Sequence, residues 1–325
     1  MSIHFIRAGL QTSVQDTGRP GLMHYGIPQG GAADFLSMKI ANLLLGNPLN
    51  NPVLEITLIG PRIEFDDDIS IAITGARFQV SLNNKPVHNF KVLQIKRGDI
   101  LDFEKLINGA RAYIGFSAKI CVPTILNSTA THLISGFGGH GNSAIANNDK
   151  ISFKAIRIAE PAQLNQEFHL NYQARPLLRV VDGPEKNWFC PSTVENFYKS
   201  TFQISAQSNR MGIRLFPSIT PSSGTLGGTS KHMISSGLQP GSIQIPNDGE
   251  PIISFIEGQT IGGYPRIAHV IRSDIHRLGQ LKAEDKINFL LVSQEGARQI
   301  LREKQYFLEK LQKQLPMTYE TPLIL

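Results

Sequence analysis

Three glycine-rich parts of the sequence hold most of the side chains that could do chemistry. They are residues 15–21 together with 26–34, residues 208–215, and residues 241–246 together with 257–265. Glycine lets the backbone adopt positive φ angles and approach a ligand closely. The polar residues beside these glycines are three carboxylates, two guanidinium groups and three amides: Asp16, Asp34, Glu257, Arg19, Arg210, Gln15, Gln244 and Gln259.

Carboxylates, guanidinium groups and amides beside glycine pairs are the parts of a site for an anionic or amide-bearing small molecule. The alternative, which composition alone favours, is a set of tight β-turns with salt-bridged ends. The residue types and their spacing alone do not decide between a ligand site and a set of β-turns.

Other motifs of catalysis and binding are missing from the sequence. A phosphate-binding loop of the Walker type is excluded because residues 224–231 carry their glycines and lysine at the wrong spacing. Neither a G-x-S-x-G elbow nor an H-E-x-x-H motif occurs, and the nine histidines are scattered, so we predict no metal site. Cys121 and Cys190 are too few for a disulfide framework or a multi-cysteine zinc site.

Ser37-Met38-Lys39 imitates the Met-Lys core of a biotin-attachment site. A biotinylated lysine needs an exposed hairpin tip, whereas Lys39 lies within a predicted helix. We therefore expect no biotin on this chain.

The composition indicates a folded protein of two ordinary domains. The chain has 325 residues, of which 41% are hydrophobic and 18% charged, and its net charge is +6. Part of the positive excess lies in residues 298–313, so the rest of the chain does not indicate a nucleic-acid binder. No secretory apolar region and no apolar run long enough to span a membrane is evident, which predicts a cytoplasmic protein without membrane contact.

The spacing of short apolar runs predicts a mainly β protein (α+β), with the strand rhythm of an antiparallel barrel or sandwich, in two β-rich domains over residues 1–165 and 166–325. The runs are 53–59, 69–74, 78–82, 91–95, 100–103 and 112–116, with a hairpin turn at 83–86. Apolar residues at helical spacing predict helices over 34–45 and 294–315, the second amphipathic with a basic face.

One turn-and-strand pattern recurs three times and suggests two related β-rich halves. It is found at residues 97–103, 147–153 and 283–289, each time as a turn ending in Asp before an alternating strand that ends in Phe. We expect the Asp side chain to accept backbone N–H groups in the turn and the alternate apolar residues to face a core.

Several motifs, in the right order, resemble the biotin-dependent carboxyltransferase / allophanate hydrolase subunit 2 family. They are Gly9-Leu-Gln-Thr-Ser-Val-Gln-Asp-Thr-Gly-Arg-Pro-Gly21, Gly30-Gly-Ala-Ala-Asp34, Leu54-Glu-Ile-Thr57, Arg210-Met-Gly-Ile-Arg-Leu215, Pro240-Gly-Ser-Ile-Gln-Ile-Pro246 and Gln259-Thr-Ile-Gly-Gly-Tyr-Pro265. The resemblance covers about residues 5–292 and is most like the branch of the family that holds the C-type subunits of 5-oxoprolinase. It implies two β-barrel-type, cyclophilin-like domains and a cleft shared between subunits. It also implies a companion of the subunit 1 type (like the B-type 5-oxoprolinase subunit) and a lactam-utilisation partner of the A type.

The function implied by the resemblance is a subunit of an ATP-dependent 5-oxoprolinase that opens 5-oxoproline to glutamate and is inactive alone, with ATP bound at the level of the complex. On this hypothesis the catalytic residues are Glu257, Asp16, Arg210 and Tyr264, and the substrate-binding residues are Gln15, Arg19, Asp34, Asn209, Gln244, Gln259, Thr260, Gly262 and Gly263. The two arginines would neutralise charge and the glycine pair would donate backbone N–H groups to an oxyanion. We expect Arg210 in a surface cleft, and Asp16, Arg210 and Tyr264 converging on one pocket.

Two other functions stay open. One is a non-catalytic partner of the Kip type, which regulates a sensor-kinase inhibitor. The other is carboxyl transfer with a biotinylated partner, as in urea carboxylase. Departures from the family pattern at Glu257, Ile261 and Ser236, where we expect Asp, Thr and Glu, together with the missing arginine near the end of residues 136–143, bear on activity more than on fold.

Overall fold

The computed structural model describes residues 1–170, 172, 175–219 and 233–315. The chain divides into two compact units. The first holds Met1–Arg19, Gly30–Tyr172 and the chain from Gln305 onward, and the second holds Pro20–Gln29 and Gln173–Lys304. These ranges differ from the two predicted domains at residues 20–29, at residues 166–172 and from Gln305 onward. The glycine-rich residues 224–231 lie outside the described part.

The first unit contains ten strands, one α-helix and one short 3-10 helix. The strands are Ser2–Arg7 (β1), Gln11–Gln15 (β2), Val53–Thr57 (β3), Arg62–Phe65 (β4), Ile69–Leu82 (β5), Lys85–Val87 (β6), Val92–Ile95 (β7), Ile100–Phe116 (β8), Lys119–Ile120 (β9) and Lys150–Lys154 (β10), and the helices are Phe35–Leu44 (α1) and Gln166–Phe168. The strands form one sheet in the order β2-β3-β8-β4-β1-β10-β9, with β5 pairing β6, β7 and β8.

Helix α1 forms where the sequence predicts it. Asp34 caps its start, since the side chain accepts a hydrogen bond from the backbone N–H of Ser37, and Gly46 with φ +61° follows its end. Apart from the half-buried Phe35, the apolar side chains of the helix, among them Met38 and Ile40, are buried. Lys39 lies inside this helix, with its ammonium group over the ring of Phe35.

The long antiparallel strands β5 and β8 form the main strand pair of the first unit. Each strand unites two of the predicted short runs, because irregularities in register between Gly75 and Val80 let one strand bend without ending. Alternate side chains of both strands enter a core that includes Ile71, Ile114 and Phe116. The hairpin turn from β5 to β6 lies at Asn83 and Asn84, whose φ angles are +50° and +62°.

The second unit is built on a closed barrel. Its strands are Leu177–Asp182 (β11), Phe202–Ile204 (β12), Gly212–Phe216 (β13), Ser236–Gly237 (β14), Ser242–Gln244 (β15), Ile252–Ser254 (β16), Ile261–Gly262 (β17), Arg266–Val270 (β18) and Lys286–Leu291 (β19). The barrel runs β11-β18-β15-β16-β13-β12-β19, and β14 pairs with β17 as a separate two-stranded sheet. The helices are Pro191–Lys199 (α2), Ile275–Leu278 (α3) and Gln294–Lys313 (α4), of which the residues from Gln305 onward are counted with the first unit. Short 3-10 turns lie at Met23–Tyr25, Lys186–Trp188 and Arg272–Asp274.

The predicted recurring turn has the same geometry in all three places. Asp99, Asp149 and Asp285 each accept, through Oδ2, the backbone N–H of the residue three positions earlier, at 2.8, 2.8 and 3.0 Å. The residue before each Asp has a positive φ angle. The following strands bury Phe103, Phe153, Phe289 and their alternate neighbours. The Asp therefore locks a local turn that starts a core strand, as its spacing predicts.

The mainly β class is confirmed, with the closed barrel in the second unit and a ten-stranded sheet in the first. Helix α4 is confirmed near its predicted bounds, 294–315. Among the described residues, no helix combines the length and the apolar character needed to cross a lipid bilayer.

Candidate functional site

Asp16 of the first unit is a buried clamp between two loops. Its Oδ1 accepts hydrogen bonds from the backbone N–H of Gly18 and the hydroxyl of Ser128, at 2.7 and 2.6 Å. Its Oδ2 accepts from the N–H and the hydroxyl of Thr129, at 2.6 and 2.9 Å. These four bonds give Asp16 a structural role in this unit, and its predicted catalytic role stays a prediction.

Arg19 is also enclosed by protein atoms, with only 1% of its surface exposed. Its Nε and Nη2 donate to the carbonyl oxygens of Ile125 and Ala130, at 3.1 and 2.8 Å, and its guanidinium lies 4.7 Å from the ring centre of Phe137. A side chain at Gly138 would come within 2.8 Å of Nη2. Glycine at this position therefore makes room for the arginine.

Asp34 and Gln15 are held in the same way. Asp34 Oδ2 accepts from the hydroxyl groups of Ser37 and Tyr172, at 2.7 and 2.6 Å, in addition to capping α1. Gln15 Nε2 donates to the carbonyl oxygen of Thr131 at 3.0 Å. Both side chains are buried.

A buried Glu55–Tyr113 pair supports the loop before α1. Neither residue was among the predicted site residues. Glu55 Oε2 accepts from the hydroxyl of Tyr113 and the N–H of Ala33, each at 2.8 Å, while Arg111 Nε lies 3.5 Å from Oε1. Burial, and after it the negative charges of Glu55 and Asp34, raise the pKa of Tyr113 well above its ordinary value. The available signal was a carboxylate inside the apolar run 53–59.

Arg210 and Glu257 form a buried ion pair in the second unit. Arg210 Nε lies 2.5 Å from Glu257 Oε1, and the two side chains are 3% and 0% exposed. The backbone repeats the contact, since Glu257 N–H donates to the carbonyl oxygen of Arg210 at 2.8 Å. The expectation that Arg210 lies in a surface cleft is therefore wrong, because this guanidinium is buried together with its counter-charge.

The other predicted residues of the second unit lie at the ends of the strands β15 and β17 and in the turns beside β13 and β17. Asn209 Oδ1 accepts the N–H of Met211 at 2.8 Å, and Gln244 Nε2 donates to the carbonyl oxygen of Tyr264 at 3.4 Å. A side chain at Gly262 would come within 2.6 Å of Gln244 Nε2, so a larger residue there would require the Gln244 side chain to move. Gln259, Gly263 and Tyr264 are exposed.

A cavity of about 580 Å³ opens in the second unit next to these turns. Apolar atoms come from Met23, Gly26, Pro184, Gly237, Leu238, Ile261 and Ala268, and polar groups from His24, Gln239, Ser242, Thr260, Arg266 and His269. Thr260 is the predicted site residue that lines it. A few polar groups on an apolar wall are typical of a small-molecule site.

A serine–histidine pair lies in the wall of this cavity. Ser242 Oγ and His269 Nδ1 are hydrogen-bonded at 3.2 Å, and the two residues face each other across β15 and β18. Burial, and then the positive charge of Arg266, lower the pKa of His269 below its ordinary value, so the imidazole is uncharged at neutral pH. Ser242 lies inside a glycine-rich segment predicted to hold site residues but was not itself predicted, and His269 is one of the scattered histidines, with no local pattern that marks it.

Arg266 is paired where it reaches the cavity. Its Nε and Nη2 donate to the two carboxylate oxygens of Glu185, each at 2.7 Å, and Nη1 donates to the carbonyl oxygen of Gly237 at 2.8 Å. This bidentate pair holds β18 to the turn around Glu185 and balances the cationic charge locally.

Two of the departures from the family pattern lie together beside the cavity. Ser236 pairs with Gly262, and Gly237 pairs with Ile261, in the β14–β17 sheet. Ile261 lines the cavity and is 61% exposed. At this wall the chain therefore presents an apolar side chain.

The predicted site residues thus fall into two sets. Gln15, Asp16, Arg19 and Asp34 belong to the first unit, and the other nine, among them Arg210 and Tyr264, belong to the second. Their predicted convergence on one pocket stays a prediction. Within the described ranges, no group of three or more His, Cys, Asp or Glu residues is arranged to hold a metal ion.

Comparison with known proteins gives the family. The sequence profile of the carboxyltransferase domain, subdomain A and B, matches residues 25–291. The C subunit of the Escherichia coli 5-oxoprolinase is 36% identical over 310 residues, which cover 95% of this chain and 97% of that protein. The urea amidolyase of Lachancea kluyveri is 31% identical over 98% of this chain, which corresponds to 18% of that protein.

A solved structure agrees with the sequence comparison. The crystal structure of the Kluyveromyces lactis urea carboxylase superimposes with a TM-score of 0.86 at 27% identity. The match covers 98% of this chain and 30% of that one. In the urea-processing proteins this fold is therefore one part of a longer chain.

Proposed function

The chain belongs to the family of carboxyltransferase domains, subdomain A and B, and from that premise we propose that it is a subunit of an ATP-dependent enzyme that opens 5-oxoproline to glutamate. The observation that carries the proposal is the end-to-end match to the C subunit of a 5-oxoprolinase, at 97% of that protein's length. A subunit of this kind works with others, here a subunit 1 homologue like the B-type 5-oxoprolinase subunit, together with a lactam-utilisation partner of the A type.

The cavity of the second unit suits a small amide better than a nucleotide. Of its three cationic or potentially cationic lining groups, Arg266 is already paired with Glu185, His269 has a pKa lowered by burial, and His24 is an exposed histidine. A triphosphate needs several converging donors and cations. We therefore propose that ATP binds at the level of the complex, and we derive no step of this chain's chemistry through it.

The test is reconstitution of the complex. The chain would be co-expressed with the two companion subunits and purified through a tag on the subunit 1 homologue. We expect co-purification, and an ATP-dependent loss of 5-oxoproline with formation of glutamate. The controls omit ATP, and omit each of the three proteins in turn.

Three results would reject the enzyme proposal. One is full activity of the companion subunits without this chain, and another is failure of the chain to co-purify with them. The third is a stable complex that does not turn over 5-oxoproline, which would favour the regulatory alternative of the Kip type.

Carboxyl transfer is a second candidate, and the superposition on urea carboxylase over 98% of the chain favours it. On this candidate a biotinylated partner brings the carboxyl group, since Lys39 lies in the body of α1. Activity that needs bicarbonate and is blocked by avidin would identify it. Activity on 5-oxoproline that is indifferent to avidin would exclude it.

A further inference from the structure

The cavity of the second unit contains groups that the predicted site did not include. Ser242 and His269 contribute to its wall and share a hydrogen bond of 3.2 Å. Ser242 is 4% exposed, so its hydroxyl is shielded from bulk water except through the cavity. A hydroxyl and an imidazole in contact can both donate and accept, and the tautomer can adapt to what the ligand presents.

The barrel holds this pair rigidly. Ser242 and His269 stand opposite each other on adjacent antiparallel strands, so the backbone hydrogen bonds of the closed barrel set their separation. Gly241 has φ +96°, and a side chain there would come within 2.5 Å of Ile275 and 3.5 Å of His269 Nε2. Groups on rigid strands orient a ligand more precisely than groups on loops.

The surroundings of the pair are close to neutral. The charged or titratable groups that share the cavity region are Arg266, its partner Glu185, and His24. Because Arg266 and Glu185 balance each other and the imidazole of His269 is uncharged at neutral pH, a charged group gains little at the pair itself. An amide, with one donor edge and one acceptor edge, matches a neutral donor–acceptor pair.

We propose that this cavity binds the amide of a small lactam, with Ser242 and His269 as the residues that contact the amide group. The proposal rests on the proposed function for the choice of lactam. Thr260 and Gln239 supply further neutral hydrogen-bonding groups, and the apolar wall at Ile261 covers the ring methylenes.

The first test is binding to the full chain. 5-Oxoproline and the neutral lactam 2-pyrrolidinone would be titrated by NMR or calorimetry against wild type and the variants Ser242→Ala and His269→Gln. We expect roughly tenfold weaker binding of both ligands in each variant, as for the loss of a hydrogen bond to a bound polar group. The matched control is Gln203→Ala, an exposed polar position on the same barrel, where affinity should not change.

A third variant, which blocks the cavity, tests the proposal even if Ser242→Ala and His269→Gln fail to fold. Ile261 is 61% exposed at the cavity wall, so Ile261→Trp can fill space there without disturbing the core. It should abolish lactam binding while the thermal melt stays at the wild-type temperature. Wild-type affinity in folded Ile261→Trp, or in both folded polar variants, would overturn the proposal.

The pH dependence of lactam binding distinguishes His269 from His24 as the histidine whose protonation affects binding. Protonation of His269 would put a positive charge in the neutral part of the cavity, so affinity for 2-pyrrolidinone should fall as the pH drops through the pKa of His269, which lies below the ordinary histidine value of about 6.5. The dependence should vanish in His269→Gln and persist in His24→Gln. Persistence in His269→Gln would contradict the assignment.

The failure of this inference is distinguishable from that of the proposed function. If the complex needs this chain to consume 5-oxoproline, and Ile261→Trp and His269→Gln retain full activity, the function stands and the cavity is not its lactam site. If the chain binds 2-pyrrolidinone through His269 and the complex does not consume 5-oxoproline, the site stands and the proposed reaction falls.

Discussion

Arg210→Ala removes the guanidinium that faces the Glu257 carboxylate inside the second unit. Both side chains are almost fully buried, and Nε lies 2.5 Å from Oε1. Removing one partner of a buried ion pair costs about 3–5 kcal/mol, because the other charge stays in surroundings of low polarity. In domains of 150–250 residues each kcal/mol lowers the melting temperature by about 2–4 °C, so we expect a fall of about 6–20 °C.

The assay can be made specific to the second unit. Trp188 is the only tryptophan of the chain and belongs to that unit, so its fluorescence reports the unfolding of the unit that contains Arg210. The matched control is Lys199→Ala. It breaks an ion pair with Glu195 in the same unit whose side chains are 72% and 62% exposed, and solvent screening leaves such exposed pairs with little effect on stability.

A second variant separates charge from packing. In Arg210→Met combined with Glu257→Met no charge is left buried, so much of the lost stability should return. If Arg210→Ala melts no lower than Lys199→Ala, the reasoning from burial fails. If the double variant is as unstable as Arg210→Ala, the loss comes from packing and not from the uncompensated charge.

Three further predictions concern stability. Asp16→Ala should speed hydrogen exchange at the Thr129 amide, since that N–H loses its acceptor. An unchanged exchange rate would refute the structural role of Asp16 in holding the two loops together. Burial and then Lys304 hold the pKa of His276 well below its ordinary value, so His276 stays neutral in the fold and the unfolded chain protonates first. The contribution of His276 to stability should therefore be flat above about pH 6.5 and fall below it by up to about 1.4 kcal/mol per pH unit. Urea unfolding of His276→Gln should show a weaker dependence of stability on pH. Gly139→Ala puts a Cβ 1.9 Å from a threonine hydroxyl and should lower the melting temperature more than Gly98→Ala, which has a positive φ angle too but open space around it; equal losses would show that backbone strain alone decides.

Local signals predicted the elements that depend on local chemistry. Helix α1 follows from a capping Asp34 and a stop at Gly46, and the three Asp turns follow from one short pattern. The long strands β5 and β8 were predicted as pairs of shorter runs. Gly75, with φ +81°, has the sequence signature of a turn but lies in an irregular part of a continuous strand, and only the pairing with β8 distinguishes the two.

The candidate site was predictable as segments and less so as residues. The segments around residues 241–246 and 257–265 do supply Ser242, Thr260 and Ile261 to the cavity. The contact of Ser242 with His269 depends on the register of β15 against β18, which no local pattern reveals. The burial of Arg210 against Glu257, 47 residues away, is equally non-local.

Neither unit is encoded by one continuous stretch of the gene. A fragment that starts at residue 173 lacks Pro20–Gln29, and with it Met23, His24 and Gly26 from the cavity wall. A fragment that stops at residue 172 lacks the chain from Gln305 onward, including Phe307, which packs on Phe168. Recombination between relatives would therefore have to exchange separate gene segments together to transfer one whole unit. A single crossover at the middle of the gene would leave each unit built from parts of both parents.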